Sequence, residues 1–270
     1  MKLTFIGTGA ADWDWKNFPP GTRGSTATLI GASCLIDAGP SVLRGLAAAH
    51  VSPARITDLL ITHSHSDHFN KEAILEIAAA SRRRSLRVWA PPQALVDLAA
   101  VAPDGAVEAH PLLPGDNFRI GVLRVIALPA NHATSKQDEQ TLNFAFSGGG
   151  VRLLYALDGA WFCTWARLFL KRFLDGAPLT AIIWDATCGA TFNDWRFSEH
   201  NDLKMISAMR EAMLKDGLVS PDAVHVFDHL ARTLWPASQA AQQRLADRFK
   251  GILAQDGLVL TINPIKKAKP

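Results

Sequence analysis

The run Thr62-His63-Ser64-His65-Ser66-Asp67-His68 limits what this chain can be more than any other feature of it. Three of the protein's nine histidines and one aspartate fall within six residues there. Chance explains such a cluster poorly, and neutral imidazole and carboxylate are the ligands that zinc and its first-row neighbours take. Residues 58–62, just before it, read as a strand. If the chain stays extended past that strand, His63 and His65 project to one face and can bind one ion together. Asp67 and His68, at the turn into a helix-like segment, can reach a second position. Four side chains do not complete two metal shells, so further ligands have to come from elsewhere.

Strand ends are the places to look for them. Residues 3–6, 27–30, 33–36 and 86–90 are short apolar runs bounded by turn residues. Residues 118–128 are strand-rich and lead to His132. Residues 141–147 and 151–157 flank Gly148-Gly149-Gly150, a hairpin signal, and Asp158 follows the second of them. Residues 179–184 end at Asp185, residues 223–227 at Asp228-His229, and residues 258–262 form a last strand. Helical spacing marks Ala73, Ile74, Ile77 and Ala78 after an Asn70 cap, then residues 161–175, 201–215 with Asn201 as cap, and 238–254. His132, Asp158 and His229 therefore each terminate a strand, although any one of them alone is as readily a cap or turn residue as a ligand. Strands dominate the first half and alternate with helices in the second. This predicts an α/β (α+β) chain with two sheets face to face and helices outside. Residues 1–265 read as one domain, and residues 266–270 as a frayed basic tail.

The 270 residues are 48% hydrophobic and 20% charged, ample for a buried core. A net charge of +3 falls short of the basic footprint of a dedicated nucleic-acid binder. Cys34, Cys163 and Cys188 are odd in number, widely spaced and form no CxxC, so a disulfide framework is not expected and a reducing compartment is. The sequence starts without a signal-like apolar region and has no run of ~18 apolar residues, which points to the cytoplasm and away from a membrane span. His50, His110 and His225 lack ligand-type neighbours and read as structural. Arg82-Arg83-Arg84 reads as a solvated helix end.

The order HxHxDH, lone His, lone Asp, final His resembles the metallo-β-lactamase superfamily, and residues 1–262 follow it end to end. Gly7-Thr8-Gly9 and Leu35-Ile36-Asp37-Ala38-Gly39 are similar to that family as well. The resemblance implies a four-layer αββα sandwich with the site at one edge of the sheets. It implies that His63, His65 and His132 hold one metal, that Asp67, His68 and His229 hold a second, and that Asp158 bridges them. The nucleophile implied is a hydroxide shared by two divalent ions, Zn2+ or Mn2+ with iron as a further candidate, because two cations acidify water and neutralise developing charge. Asp67 is thereby a catalytic residue as well as a ligand, and Asp37 supports the motif loop.

Asp228-His229-Leu230-Ala231-Arg232 is similar to the phosphodiesterase branch, which holds tRNA 3′-processing endonucleases and small cyclic-phosphate phosphodiesterases. Ser198-Glu199-His200-Asn201-Asp202-Leu203 resembles a segment of the phosphoribosyl cyclic phosphate phosphodiesterases of phosphonate breakdown. Carried over, His200 is a general acid or a phosphate contact. Arg232 is a second candidate phosphate contact, with a surface ion pair as the alternative. Asp185 either bonds a ligand histidine or caps a turn.

Two departures refine the comparison. The phosphonate enzymes carry a zinc-binding cysteine cluster after the first glycine motif, whereas residues 11–20 here hold none and offer Trp13, Trp15 and Phe18, as packing or as a lid. Bacterial tRNA-processing relatives insert a long glycine- and proline-rich arm between the lone His and the bridging Asp, whereas here only residues 133–157 intervene. The expected function is a dinuclear hydrolase of a small (cyclic) phosphodiester, with structured nucleic acid disfavoured and a homodimer compatible with the resemblance. Thioester or lactone hydrolysis, or a non-catalytic metal sensor, are the alternatives.

Overall fold

A computed structural model describes residues 1–265; the tail expected at 266–270 lies outside the described residues. Its strands are β1 (Lys2–Gly7), β2 (Ala27–Ile30), β3 (Cys34–Ile36), β4 (Asp58–Leu60), β5 (Leu86–Ala90), β6 (Val107–Pro111), β7 (Asn117–Ile120), β8 (Leu123–Pro129), β9 (Leu142–Gly148), β10 (Val151–Ala156), β11 (Leu179–Asp185), β12 (Val219–Asp228), β13 (Ile252–Leu253) and β14 (Val259–Thr261). They form two sheets of seven, ordered β14-β1-β2-β3-β4-β5-β6 and β13-β12-β11-β10-β9-β8-β7. Each sheet is antiparallel over one half (β14 to β3; β7 to β10) and parallel over the other.

The sheets pack face to face through Leu3, Phe5, Ile36 and Leu60 of the first and Phe144, Phe146, Tyr155 and Ile183 of the second, all buried. Helices α1 (Val42–Ala48), α2 (Lys71–Ala80) and α3 (Pro92–Ala99) cover the outside of the first sheet, and α4 (Thr164–Leu174), α5 (Leu203–Lys215) and α6 (Gln239–Arg248) that of the second. Central strands covered on both faces need no polar alternation, and β4 and β11 are buried at every position. The expected αββα layering is present. No helix among the described residues is long and apolar enough to cross a membrane.

The hairpin signal resolves as a two-residue turn, Gly149 and Gly150, both at positive φ (57° and 76°), which only glycine adopts without strain. Asn70 caps α2 by accepting from Ala73 N at 2.8 Å. Other boundaries differ from the sequence reading. Helix α4 starts at Thr164, not 161, because Trp161 is left-handed (φ 57°). The cap of α5 is Asp202, whose carboxylate accepts from Lys204 N and Met205 N, whereas Asn201 ties Gly159 and Trp161 to the site loop. Helix α6 stops at Arg248, since Lys250 (φ 54°) and Gly251 turn the chain into β13. Strand β6, exposed at its edge, and helix α1 carry too little periodicity to be read from sequence.

His225 is structural, as expected: its Nδ1 accepts a hydrogen bond from Trp184 Nε1 at 3.0 Å. Burial, reinforced by Arg210, pushes its pKa down to about 3. The unfolded chain takes up a proton near pH 6.5 that the folded chain refuses. Its stabilising contribution is therefore complete above pH 6.5 and is lost as pH falls toward 3, by up to about 1.4 kcal/mol per pH unit. A His225→Asn variant should show a shallower fall in urea midpoint between pH 6.5 and 4.5 than the wild type; parallel curves would contradict this.

Candidate metal centre

The site lies at the carboxyl ends of the parallel strands, where ligands gather in open α/β sheets. Strand β4 delivers the histidine motif. Its shape is set by Asp37, a fully buried residue at φ 60°, whose carboxylate accepts from Thr62 N (2.8 Å), the Thr62 hydroxyl (3.0 Å) and His68 Nδ1 (2.9 Å). Ala38 N donates to the His68 carbonyl, and Asn70 N to the Ala38 carbonyl. Gly39 lies so close beneath the loop that a Cβ there would fall 1.9 Å from the Asp67 carbonyl oxygen. This is why a glycine closes that motif: any larger residue would displace the carboxylate-bearing turn.

Around this loop the structure gathers all seven candidate ligands. Ligand atoms of His63, His65 and His132 lie within 4.8 Å of one another, as do those of Asp67, His68 and His229, and those of His63, His68 and Asp158. His65 Nδ1 and His132 Nε2 are 3.0 Å apart, and His68 Nε2 and His229 Nε2 are 3.2 Å apart. Asp158 Oδ2 is 2.9 Å from His68 Nε2 and 3.5 Å from His229 Nε2. Asp158 (φ 48°) and His229 (φ 58°) are left-handed, a strain that clusters at functional sites.

Hydrogen bonds on the far sides of the rings fix their orientation. His68 Nδ1 donates to Asp37, His63 Nδ1 to the Thr62 hydroxyl at 3.0 Å, and His229 Nδ1 to the Thr187 hydroxyl at 2.8 Å. Each Nε2 is left facing the other ligand candidates. His63 Nε2 and Asp158 Oδ2 are buried with no hydrogen-bond partner among the described residues. Burial and the neighbouring His68 hold the His63 imidazole neutral, well below its ordinary pKa. Burial opposes the Asp158 charge, but His229 and His68 outweigh it and keep the carboxylate ionised. Unpaired acceptors crowded in a dry site are costly, and divalent cations satisfy them. The donor set fits such ions.

His200 stands across the cavity. Its Nδ1 is 2.8 Å from Asp185 Oδ2 and 3.6 Å from Asp158 Oδ1. Burial disfavours its charge, but Asp185 foremost, then Asp158, outweigh this and hold its pKa at about 9. Asp185 also accepts from the Thr187 hydroxyl at 2.6 Å, so it reaches the ligand-type His229 only through Thr187.

A cavity of about 240 Å³ opens over these groups, lined also by Asp12, Trp195, Arg196 and Glu199. Arg232 is not part of this lining: its backbone N and Nε donate to Asp12, and the arginine in the wall is Arg196. Trp13 donates to the Leu230 carbonyl and Trp15 to the Arg23 carbonyl, while the Arg44 guanidinium lies 4.0 Å over the Phe18 ring, so these aromatics pack against the body of the protein. Sequence reasoning missed Thr187, Arg196 and Glu199. Glu199 lies within the histidine segment already singled out and Arg196 two residues before it, and only their proximity to His200 signalled them.

The chain belongs to the Beta-lactamase superfamily domain family, which matches residues 33–183, more than half of its length. Its sequence relatives include proteins named zinc phosphodiesterase and ribonuclease Z. It is 39% identical over 72 residues to zinc phosphodiesterase ELAC protein 1 of Mus musculus, covering 26% of this chain and 18% of that protein. It is 26% identical over 144 residues to ribonuclease Z of Methanothermobacter thermautotrophicus, covering 49% of this chain and 45% of that one. The matches thus span less than half the length of these curated relatives. Zn2+-bound PqqB from Methylobacterium extorquens shares the fold, with a TM-score of 0.73 at 15% identity over 97% of this chain and 100% of that one.

Proposed function

We propose that this protein hydrolyses a small, cyclic or linear phosphodiester at a centre of two divalent cations. The observation that carries the reading is the meeting of two histidine-rich clusters at one buried carboxylate, Asp158, with the Asp185-held His200 facing it across the cavity. In this reading His63, His65 and His132 hold one cation, Asp67, His68 and His229 the other, and Asp158 lies between. When bound, two cations supply a hydroxide at neutral pH and neutralise charge on the phosphoryl oxygens. Without thiolates, the donor set accepts zinc, manganese or iron; zinc is the metal in the names of the ELAC relative and the PqqB structure.

The protein's own residues do the rest. With Nδ1 engaged by Asp185, His200 has its Nε2–H free to protonate a leaving alkoxide or to contact the phosphate. Asp185 positions that ring and sustains its charge. A cavity of about 240 Å³ suits a small ester better than a structured RNA.

The test is turnover by metal-reconstituted protein of bis(p-nitrophenyl) phosphate, a thioester and a lactone, with metal content measured alongside. Phosphodiester turnover at about two ions per chain is expected. Turnover of the thioester or lactone alone would replace this reading with a carbonyl hydrolase, and no turnover with zinc, manganese or iron would leave a metal-binding sensor.

A further inference from the structure

We infer that the substrate carries a planar aromatic group, in biological form a nucleobase, which stacks on Trp195 beside Arg196 at the wall of the cavity. The inference rests on the phosphodiesterase reading and adds the identity of the group next to the phosphate.

The wall is a short excursion of the chain. It leaves at Gly189 and returns at Asp202, two residues bridged to each other, and Leu203 N donates to the Gly189 carbonyl at 2.9 Å. Its tip is one 3-10 turn, Trp195–Ser198, whose Asp194 cap accepts from Arg196 N at 3.0 Å. Asn131 Nδ2 reaches the Ser198 carbonyl from the other side. The tip is thus held on a hydrogen-bonded base.

Trp195 lines the cavity and yet is 73% exposed. The other apolar side chains in the described lining are Ala10, Ala11 and Ala231, so the indole is the one broad apolar face offered there. Phe192, on the same excursion, does not line the cavity, and the Lys204 ammonium lies 3.8 Å from its ring centre. Arg196 is clamped by Asp194 through Nε (2.7 Å) and Nη2 (3.0 Å), which fixes the guanidinium plane and leaves Nη1 outside the pair. An exposed ring beside an oriented cation, next to a site that would bind phosphate, matches a flat base joined to a phosphate rather than a bare sugar. Base stacking on an aromatic side chain is typically worth about 5- to 150-fold in affinity.

The experiment compares two substrates that differ only in the base: adenosine 2′,3′-cyclic phosphate and methyl riboside 2′,3′-cyclic phosphate. Wild-type protein should have a kcat/KM ratio favouring the nucleotide by about tenfold or more. Trp195→Ala should collapse that ratio toward one, Trp195→Phe should keep most of it, and Trp165→Ala, an exposed tryptophan that does not line the cavity, should leave it unchanged. A wild-type ratio near one, or a ratio unmoved by Trp195→Ala, overturns the inference. Turnover of bis(p-nitrophenyl) phosphate but of neither cyclic ester also overturns it while leaving the phosphodiesterase reading standing; turnover of no diester overturns both.

Discussion

An Asp158→Asn variant is expected to fold, to retain fewer than two ions per chain and to lose phosphodiester turnover by well over 100-fold. Asparagine is the right replacement. It matches aspartate in shape and tolerates the left-handed backbone at φ 48°, where alanine would add strain. What it removes is the charge. Asp158 is 2% exposed, and its carboxylate approaches His68, His229 and His200, groups carried by three separate loops. Losing an outer hydrogen-bond partner of a ligand typically costs about 10- to 100-fold. A residue that serves both cations should cost more, and it should cost metal as well as rate. Elemental analysis, circular dichroism and kcat on one preparation make the comparison. Wild-type metal content with wild-type turnover would remove Asp158 from the centre.

The second large effect concerns His200. A His200→Ala variant should keep its metals and lose about 100- to 10,000-fold in kcat on an alkyl phosphodiester, the usual range for a positioned acid. On bis(p-nitrophenyl) phosphate the loss should be much smaller, because p-nitrophenolate departs without a proton. Equal losses on both substrates would make His200 a phosphate contact instead of an acid. No loss on either would leave the Asp185–His200 pair without a part in the chemistry, despite the 2.8 Å hydrogen bond that joins them.

Much of this centre was legible in the sequence because its chemistry is concentrated in a few residue types. Six residues from His63 to His68 hold four ligand candidates, and strand ends marked by Pro129, Asp158 and Asp228 located the rest. The layered fold was legible for a related reason: buried strands such as β11 carry apolar runs, here Ala181 to Trp184. What escaped reading depends on tertiary context. The sequence points to Asn201 as the cap of α5 where the structure has Asp202, since both are good cap residues and only the contacts of Asn201 with Gly159 and Trp161 decide. Arg196 and Arg232 are equally basic in sequence. It is Asp12, far away in the chain, that draws Arg232 aside.

The pairing of β14 with β1 bears on how the molecule is made. Lys2 lies opposite Thr261, and Met1 N donates to the Ile262 carbonyl across 261 positions of sequence. Until β14 docks, β1 has one side of its backbone unpaired, on a segment whose Leu3, Phe5 and Ile6 are otherwise buried. Contacts this distant close slowly, and an open apolar edge invites pairing with another chain. Any partly folded state that lacks β14 thus leaves β1 as an open edge, and docking of β14 closes it.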